Sequence, residues 1–258
     1  MSRIAAAAIL LTASLAWGQQ GDPVDVSAEP HHHLVLDNLF VKAYAVQVAP
    51  KDSTLMHRHG KDYLSIAVGD SEIQNTKQGA QPATVKFKSG DTRYTPAGLV
   101  HAVADSTDVP FRNVTIELLQ PTTNQKNCTE SCSIPIKCEG STPCATSTKL
   151  ITSDQWSVTE VTVPPGGLYP QHTHLANFLV VALNDSQMKV RNQDGPEQTM
   201  KSTAGQVTWH NPEVHTIKNA STTPAQVIIL EFRGRPSGEG SESMAPDQKG
   251  EHKPHDHH

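Results

Sequence analysis

Alternation of apolar and polar positions runs through the chain. Thr84 to Lys88, TVKFK, alternates strictly, as a half-buried strand does when successive side chains point to opposite faces. Val41 to Val48 (VKAYAVQV), Leu64 to Val68 (LSIAV) and Val114 to Leu119 (VTIELL) read as further strands. Gly, Pro, Asp and Asn punctuate the gaps, and no segment up to residue 120 carries a helical period. Short strands at regular spacing predict an all-β sandwich or barrel.

The pattern then repeats. HRHGKDYLSIAVGDSE from His57 aligns without a gap on HTHLANFLVVALNDSQ from His172. GDTRYTPAGLVHAVADS from Gly90 aligns on GQVTWHNPEVHTIKNAS from Gly205 with one deletion, and VTIEL from Val114 aligns on IILEF from Ile228. The separation of His101 from Glu117 equals that of His215 from Glu231. A register held over so many positions marks a tandem duplication: two similar β domains, at 34–120 and 148–234, joined by a linker at 121–147.

The ends and the linker differ from the domains. Residues 1–18 have a positive start at Arg3, an apolar run from Ile4 to Leu15 and small residues before a cut after Gly18, the make-up of a secretory signal peptide. No later stretch is long enough to span a bilayer, so the expected location is periplasmic or secreted. Four cysteines, Cys128, Cys132, Cys138 and Cys144, cluster in the linker. In an exported chain they read as two disulfides, with three pairings open; their spacing lacks the close Cys-x-x-Cys pairs of a zinc site. Residues 235–258 are almost devoid of apolar side chains and are expected to be a disordered tail, with histidines at 252, 255, 257 and 258. A formal charge of −5 without a basic block in the domains argues against nucleic acid as a partner. With 5% aromatic and 36% hydrophobic residues, core material is limited, which favours compact β domains.

The repeated segments carry the chemistry. Side chains at i and i+2 of a strand share a face, so His57 and His59 aim two imidazoles at one point. Asp62 follows at the bend, and His101, after the Pro96-Ala97-Gly98 turn, comes from a distant strand. Three neutral imidazoles and a carboxylate suit a divalent transition metal: Fe, Mn, Cu, Ni, Co or Zn. His172, His174 and His215 repeat the set in the second domain, with Asn177 where the first has Asp62.

These residues resemble the two motifs of the cupin superfamily, G-x5-H-x-H-x(3,4)-E-x6-G and G-x5-P-x-G-x2-H-x3-N. His57, His59, Gly69, Gly90, Pro96, Gly98 and His101 match; Lys51 stands where Gly is usual, Asp62 replaces Glu, and Asp105 replaces the closing Asn. In the second copy His172, His174, His215 and Asn219 match, while His210 and Pro212 depart from the Pro-x-Gly turn. The resemblance covers about two thirds of the chain and implies two tandem double-stranded β-helix (jelly-roll) barrels with the metal ligands inside. Two-domain cupins include flavonol dioxygenases and oxalate decarboxylases and oxidases. The absence of a second acid ligand and of a lid insertion turns the expectation towards an O2-dependent, dioxygenase-like oxidoreductase acting on a small enolic or phenolic compound. The alternatives are a non-catalytic metal- or ligand-binding bicupin and a metal-dependent isomerase or lyase. The partner expected is a small-molecule substrate or ligand, and a homo-oligomer stays open.

Three expectations concern the finer site. The first centre is read as the chemical one, since Asp62 would leave a divalent ion a residual charge of about +1 where Asn177 leaves about +2. His31, His32 and His33 are read as solvated or edge residues ahead of the first strand. His210 is read as a packed, hydrogen-bonded side chain beside Trp209.

Overall fold

The structure, a computed structural model, describes residues 22–193 and 195–234. The expected signal peptide and tail lie outside these residues. The described chain is all-β apart from one 3-10 turn, Val26–Ala28, and forms two barrels of two sheets each. In the first barrel, one sheet orders the strands Val24–Asp25, His57–Arg58, Val100–Asp105, Ser71–Lys77 and Ala83–Phe87. Its other sheet orders His32–Asp37, Val41–Val48, Phe111–Leu118, Tyr63–Ala67 and Thr92–Thr95. The second barrel repeats this plan. Its six-strand path runs Lys126–Asn127, Thr146–Thr152, Trp156–Val163, Ala225–Phe232, Phe178–Ala182 and Val207–His210. A four-stranded sheet of Leu168–His174, Glu213–Asn219, Ser186–Asn192 and Gln198–Ser202 closes it. No described helix is long and apolar enough to cross a membrane.

Alternation explains where the core lies. Along Phe111–Leu118, Val114, Ile116 and Leu118 point to one side, and Asn113 and Thr115 to the other. The apolar side does not fill its own barrel. It meets Trp156, Val158, Leu179, Val181, Ile228 and Leu230 of the second barrel in one buried cluster. Many of the chain's scarce large apolar side chains are thus spent on a seam between the barrels. The seam is reciprocal: a Cβ on Gly90 would come within 3.0 Å of Leu183 in the second barrel, and one on Gly205 within 3.3 Å of Arg112 in the first. Arg112 also donates to the Ala204 carbonyl at 2.5 Å.

Lys51, where the family motif has Gly, keeps the left-handed backbone that a glycine there provides, with φ of 64°; its counterpart in the second copy, Gly166, has φ of 66°. The first barrel takes in Val24–Asp37, ahead of the expected boundary at residue 34, because Val24 pairs with His57 and His32 with Val46. The linker is not free either. Cys128 pairs with Cys132 and Cys138 with Cys144, and Ser133–Ile134 hydrogen-bonds onto Thr146–Thr152 at the edge of the second barrel.

Candidate metal centres

Register assembles each histidine set. His57 lies directly opposite His101 on antiparallel strands, and His172 directly opposite His215. The neighbours of each ring then choose its tautomer. His57 Nδ1 donates to the Leu55 carbonyl at 2.9 Å, and His101 Nδ1 to Asn75 Oδ1 at 2.8 Å. Both Nε2 lone pairs are left for the interior, the arrangement of ligating histidines. His59 Nε2 lies 3.2 Å from His101 Nε2, and His57 Nε2 is buried without a hydrogen-bond partner. A buried orphan of this kind is costly unless something occupies it. A divalent cation among these nitrogens fits that need. The second barrel repeats the arrangement: His172 Nδ1 donates to the Pro170 carbonyl at 2.9 Å, and His172 Nε2 lies 2.9 Å from His215 Nε2. His174 Nε2 is buried there without a hydrogen-bond partner. His59 stacks on Tyr63 and His174 on Phe178, with ring centroids 4.0 Å and 3.9 Å apart, which fixes both ring planes.

Burial, then the neighbouring imidazoles, holds these rings in the neutral form that binds metals. His59 is pushed down to about 2, and His101 and His215 to about 3. Burial also lowers His57 and His172.

The structure does not bring Asp62 to the histidines. Its carboxylate accepts from Tyr94 Oη at 2.7 Å and from the Ala97 N–H at 2.9 Å, tying the bend after His59 to the turn before His101. Asn177 makes the matching tie, donating to Asn211 Oδ1 at 3.4 Å. Position 62/177 therefore works as a loop fastener in both copies, and the charge difference expected from it is not placed at the metal. Asp105 and Asn219 stitch loops in the same way: Asp105 accepts from Phe111 N and Thr107 N, and Asn219 bonds Val163, Thr223 and Ser221.

Only one of the three adjacent histidines is exposed. His33 is, whereas His31 sits between Glu29 and Asp52, at 3.0 and 3.1 Å. His32 is buried inside the first barrel, its ring centroid 4.7 Å from that of His57. One ring nitrogen from each of His32, His57 and His59 lies within 4.8 Å of the others, as also holds for His172, His174 and His215. Strand alternation carries the signal for this: when His33 faces out, His32 must face in. His210 stacks on Phe178 at 4.7 Å and meets Thr208 Oγ1 at 3.1 Å, so it packs beside the second set.

The two cavities differ. The first, about 230 Å³, mixes Ser65, Asn75, Thr95 and Asn113 with Ile73, Val85, Phe87 and Phe111 on its walls, with Lys77 and Arg93 exposed on its rim. Among the described residues no carboxylate lines it. The second, about 320 Å³, is walled by Val180, Met188, Val190, Ile217, Val227 and Ile229, with Glu213 beside His215 at 3.0 Å.

No protein-family model matches the sequence, and no curated protein matches it either. Solved structures do match. A putative glyoxylate-induced protein from Pseudomonas aeruginosa superposes with a TM-score of 0.57 at 15% identity, over 80% of this chain and 83% of that one. AerE from Microcystis aeruginosa gives 0.53 at 12% identity, over 80% and 99%. A cupin domain from Bordetella pertussis is 25% identical over 37% of this chain and 99% of its own, with a TM-score of 0.35. With two tandem barrels, each presenting a histidine pair opposite a third histidine, the chain has the two-domain fold of the cupin superfamily.

Proposed function

We propose that this is an exported, metal-dependent bicupin whose first barrel is an O2-dependent oxidoreductase site for a small enolic or phenolic compound bearing an anionic group. The observation that carries this reading is the make-up of the first cavity: neutral histidines in its lining, Ser65, Asn75, Thr95 and Asn113 beside an apolar wall, and exposed Lys77 and Arg93 without a competing carboxylate among the described lining residues. A divalent transition metal held by His57, His59 and His101 would supply Lewis acidity and a place where substrate and O2 can meet. The chain supplies the rest. Arg93 and Lys77 draw in an anion, and Asn75 keeps the proton of His101 on Nδ1. Ser65, Thr95 and Asn113 offer hydrogen bonds that orient a small polar molecule. Two disulfides fit an oxidising compartment.

A non-catalytic metal- or ligand-binding role is the second reading, favoured by the diversion of Asp62 into a loop tie. The test is metal analysis of the exported protein followed by O2 uptake with a panel of enols and catechols, some carboxylated. The proposal expects uptake that needs both metal and substrate, is lost in His101→Ala and is largely kept in His215→Ala. Tight metal binding with no turnover of any compound would move the assignment to the binding role.

A further inference from the structure

We infer that His32, oriented by the buried carboxylate of Glu29, is the fourth protein ligand of the first centre, in the place that the family motif gives to the acid after the histidine pair. This rests on the reading of the first barrel as a metal site and deepens it.

The N-terminal segment builds His32 into position. Asp25 caps the turn Val26–Ala28 by accepting from Ser27 N at 2.9 Å, and Val26 is buried against Tyr44 and Val46. The chain leaves this turn at Glu29, whose side chain has no exposed surface. A carboxylate so deeply buried must be fully paired. Glu29 accepts from His31 N at 2.9 Å, Leu55 N at 3.2 Å, His31 Nδ1 at 3.0 Å and His32 Nδ1 at 2.6 Å. Leu55 ties the two shells together: its N–H holds Glu29, and its carbonyl holds His57 Nδ1.

Geometry then leaves His32 one role. Its register opposite Val46 puts it on the inner face of the strand pair. With Nδ1 given to Glu29, the nitrogen left over is Nε2, on the cavity that His57, His59 and His101 also line. A carboxylate–histidine pair of this kind sets the ring's orientation and raises its basicity as a ligand. Asp62 meanwhile has both oxygens engaged elsewhere. The duplication provides an internal control. His32 pairs with Val46 as Ser147 pairs with Val161, and Val46 and Val161 hold the same place in the two copies. The second barrel therefore has a buried serine where the first has its fourth histidine.

The test uses the full chain in a His172→Ala/His174→Ala background with His252, His255, His257 and His258 also changed to Ala, so that the first centre is the histidine cluster left to bind. Co2+ affinity is measured by chelator competition, and the number of nitrogens on bound Cu2+ by electron paramagnetic resonance. His32→Ala is expected to lower Co2+ affinity by at least roughly 100-fold, beyond the range typical of a lost orienting partner, and to remove one nitrogen from the Cu2+ signal. Glu29→Gln is expected to cost roughly 10-fold with the nitrogen count kept, and Asp62→Asn to change neither readout. Should His32→Ala fail to fold, judged by circular dichroism, His32→Gln keeps the bulk and the bond to Glu29 and answers the same question. Unchanged affinity and nitrogen count in the folded His32 variant, with a loss in Asp62→Asn, would overturn the inference while leaving the metal centre standing. No Co2+ binding in the parent background, nor any effect of His57→Ala, would overturn the metal reading and this inference with it.

Discussion

The two barrels share a fold, a histidine triad and a loop tie at position 62/177, yet their interiors have diverged. The first mixes polar with apolar walls, has cations and no carboxylate in its lining, and holds His32 among its histidines. The second is walled by Val, Ile and Met, and has Ser147 at the place of His32. Duplication preserved what the fold needs, which is the strand register, the left-handed turns and the apolar seam. It released what faces the cavities, since a residue pointing into open space is constrained by its ligand alone. The two histidine sets also lie far apart. A line between them crosses both inner sheets and the seam, and with stacked sheets about 10 Å apart this separates them by at least about 20 Å. Each site can therefore be emptied without emptying the other.

The comparison breaks most sharply at the seam. Trp156 is 1% exposed and packs in the cluster shared by both barrels. Trp156→Ala is expected to cost about 3–5 kcal/mol. Urea denaturation followed by metal release from each centre should show both barrels failing in a single transition. Loss of the second barrel alone would make them independent domains.

Acid sharpens the comparison next. In the unfolded chain an imidazole takes up a proton near 6.5, whereas in the fold His59 stays neutral down to about 2, and His101 and His215 down to about 3. Below pH 6.5 the unfolded state then binds more protons, so stability falls as pH falls. Metal-free protein should lose at most about 1.4 kcal/mol per buried histidine between pH 6.5 and 5.5. The double change His59→Gln/His101→Gln should flatten this slope about twice as much as His215→Gln, because it removes two of the three groups. A stability that is level over this interval would show that the rings protonate freely in the fold.

The disulfides test whether the linker belongs to one barrel. Cys128–Cys132 and Cys138–Cys144 close loops with separations of 4 and 6 residues. Loops this short confine the unfolded chain only modestly, so reduction should cost about 2 kcal/mol per bridge and release no metal. Metal loss from the second centre on mild reduction would couple the linker to that site.

The smallest effect is expected at Lys51. A non-glycine residue in the left-handed region costs about 1 kcal/mol, partly offset by the extra freedom of glycine in the unfolded chain. Lys51→Gly should therefore stabilise the protein by about 0.5 kcal/mol in urea titrations. A net loss would mean that the bonds from Lys51 Nζ to the Ser106 carbonyl, at 2.6 Å, and to Asp108, at 3.1 Å, outweigh the backbone strain.

Much of the fold was legible because the sequence states it twice. The repeated His-x-His with a third histidine at matched spacing marks both triads, and the alternating runs mark the strands. His32 escaped because it has no counterpart: alignment of the copies brings up only what both retain, and Ser147 is silent there. Asp62 misled for the opposite reason. Its spacing is that of a ligand, but spacing does not say which way a side chain turns at a bend, and Tyr94 and Ala97 take both its oxygens. The cysteine pairing needed coordinates, since four thiols in one short segment permit three connectivities. The seam was hidden too, because alternation distinguishes two faces of a strand without saying that the apolar one looks outward, to another barrel.

That outward-looking face commits each barrel to a partner. A solitary barrel of this design would offer water Val41, Ala43, Leu64, Ile66, Val114 and Ile116 as one apolar surface, all of which the present chain buries completely or nearly so. Such a surface is relieved most simply by a second copy of itself across a two-fold axis, with the same residues used on both sides. The mutual approach of Gly90 to Leu183 and of Gly205 to Val68 keeps that exchange symmetry, since Leu183 and Val68 hold the same place in the two copies. Carried on one chain, the pairing of the two barrels does not depend on concentration, and each cavity can differ from the other without the seam coming apart.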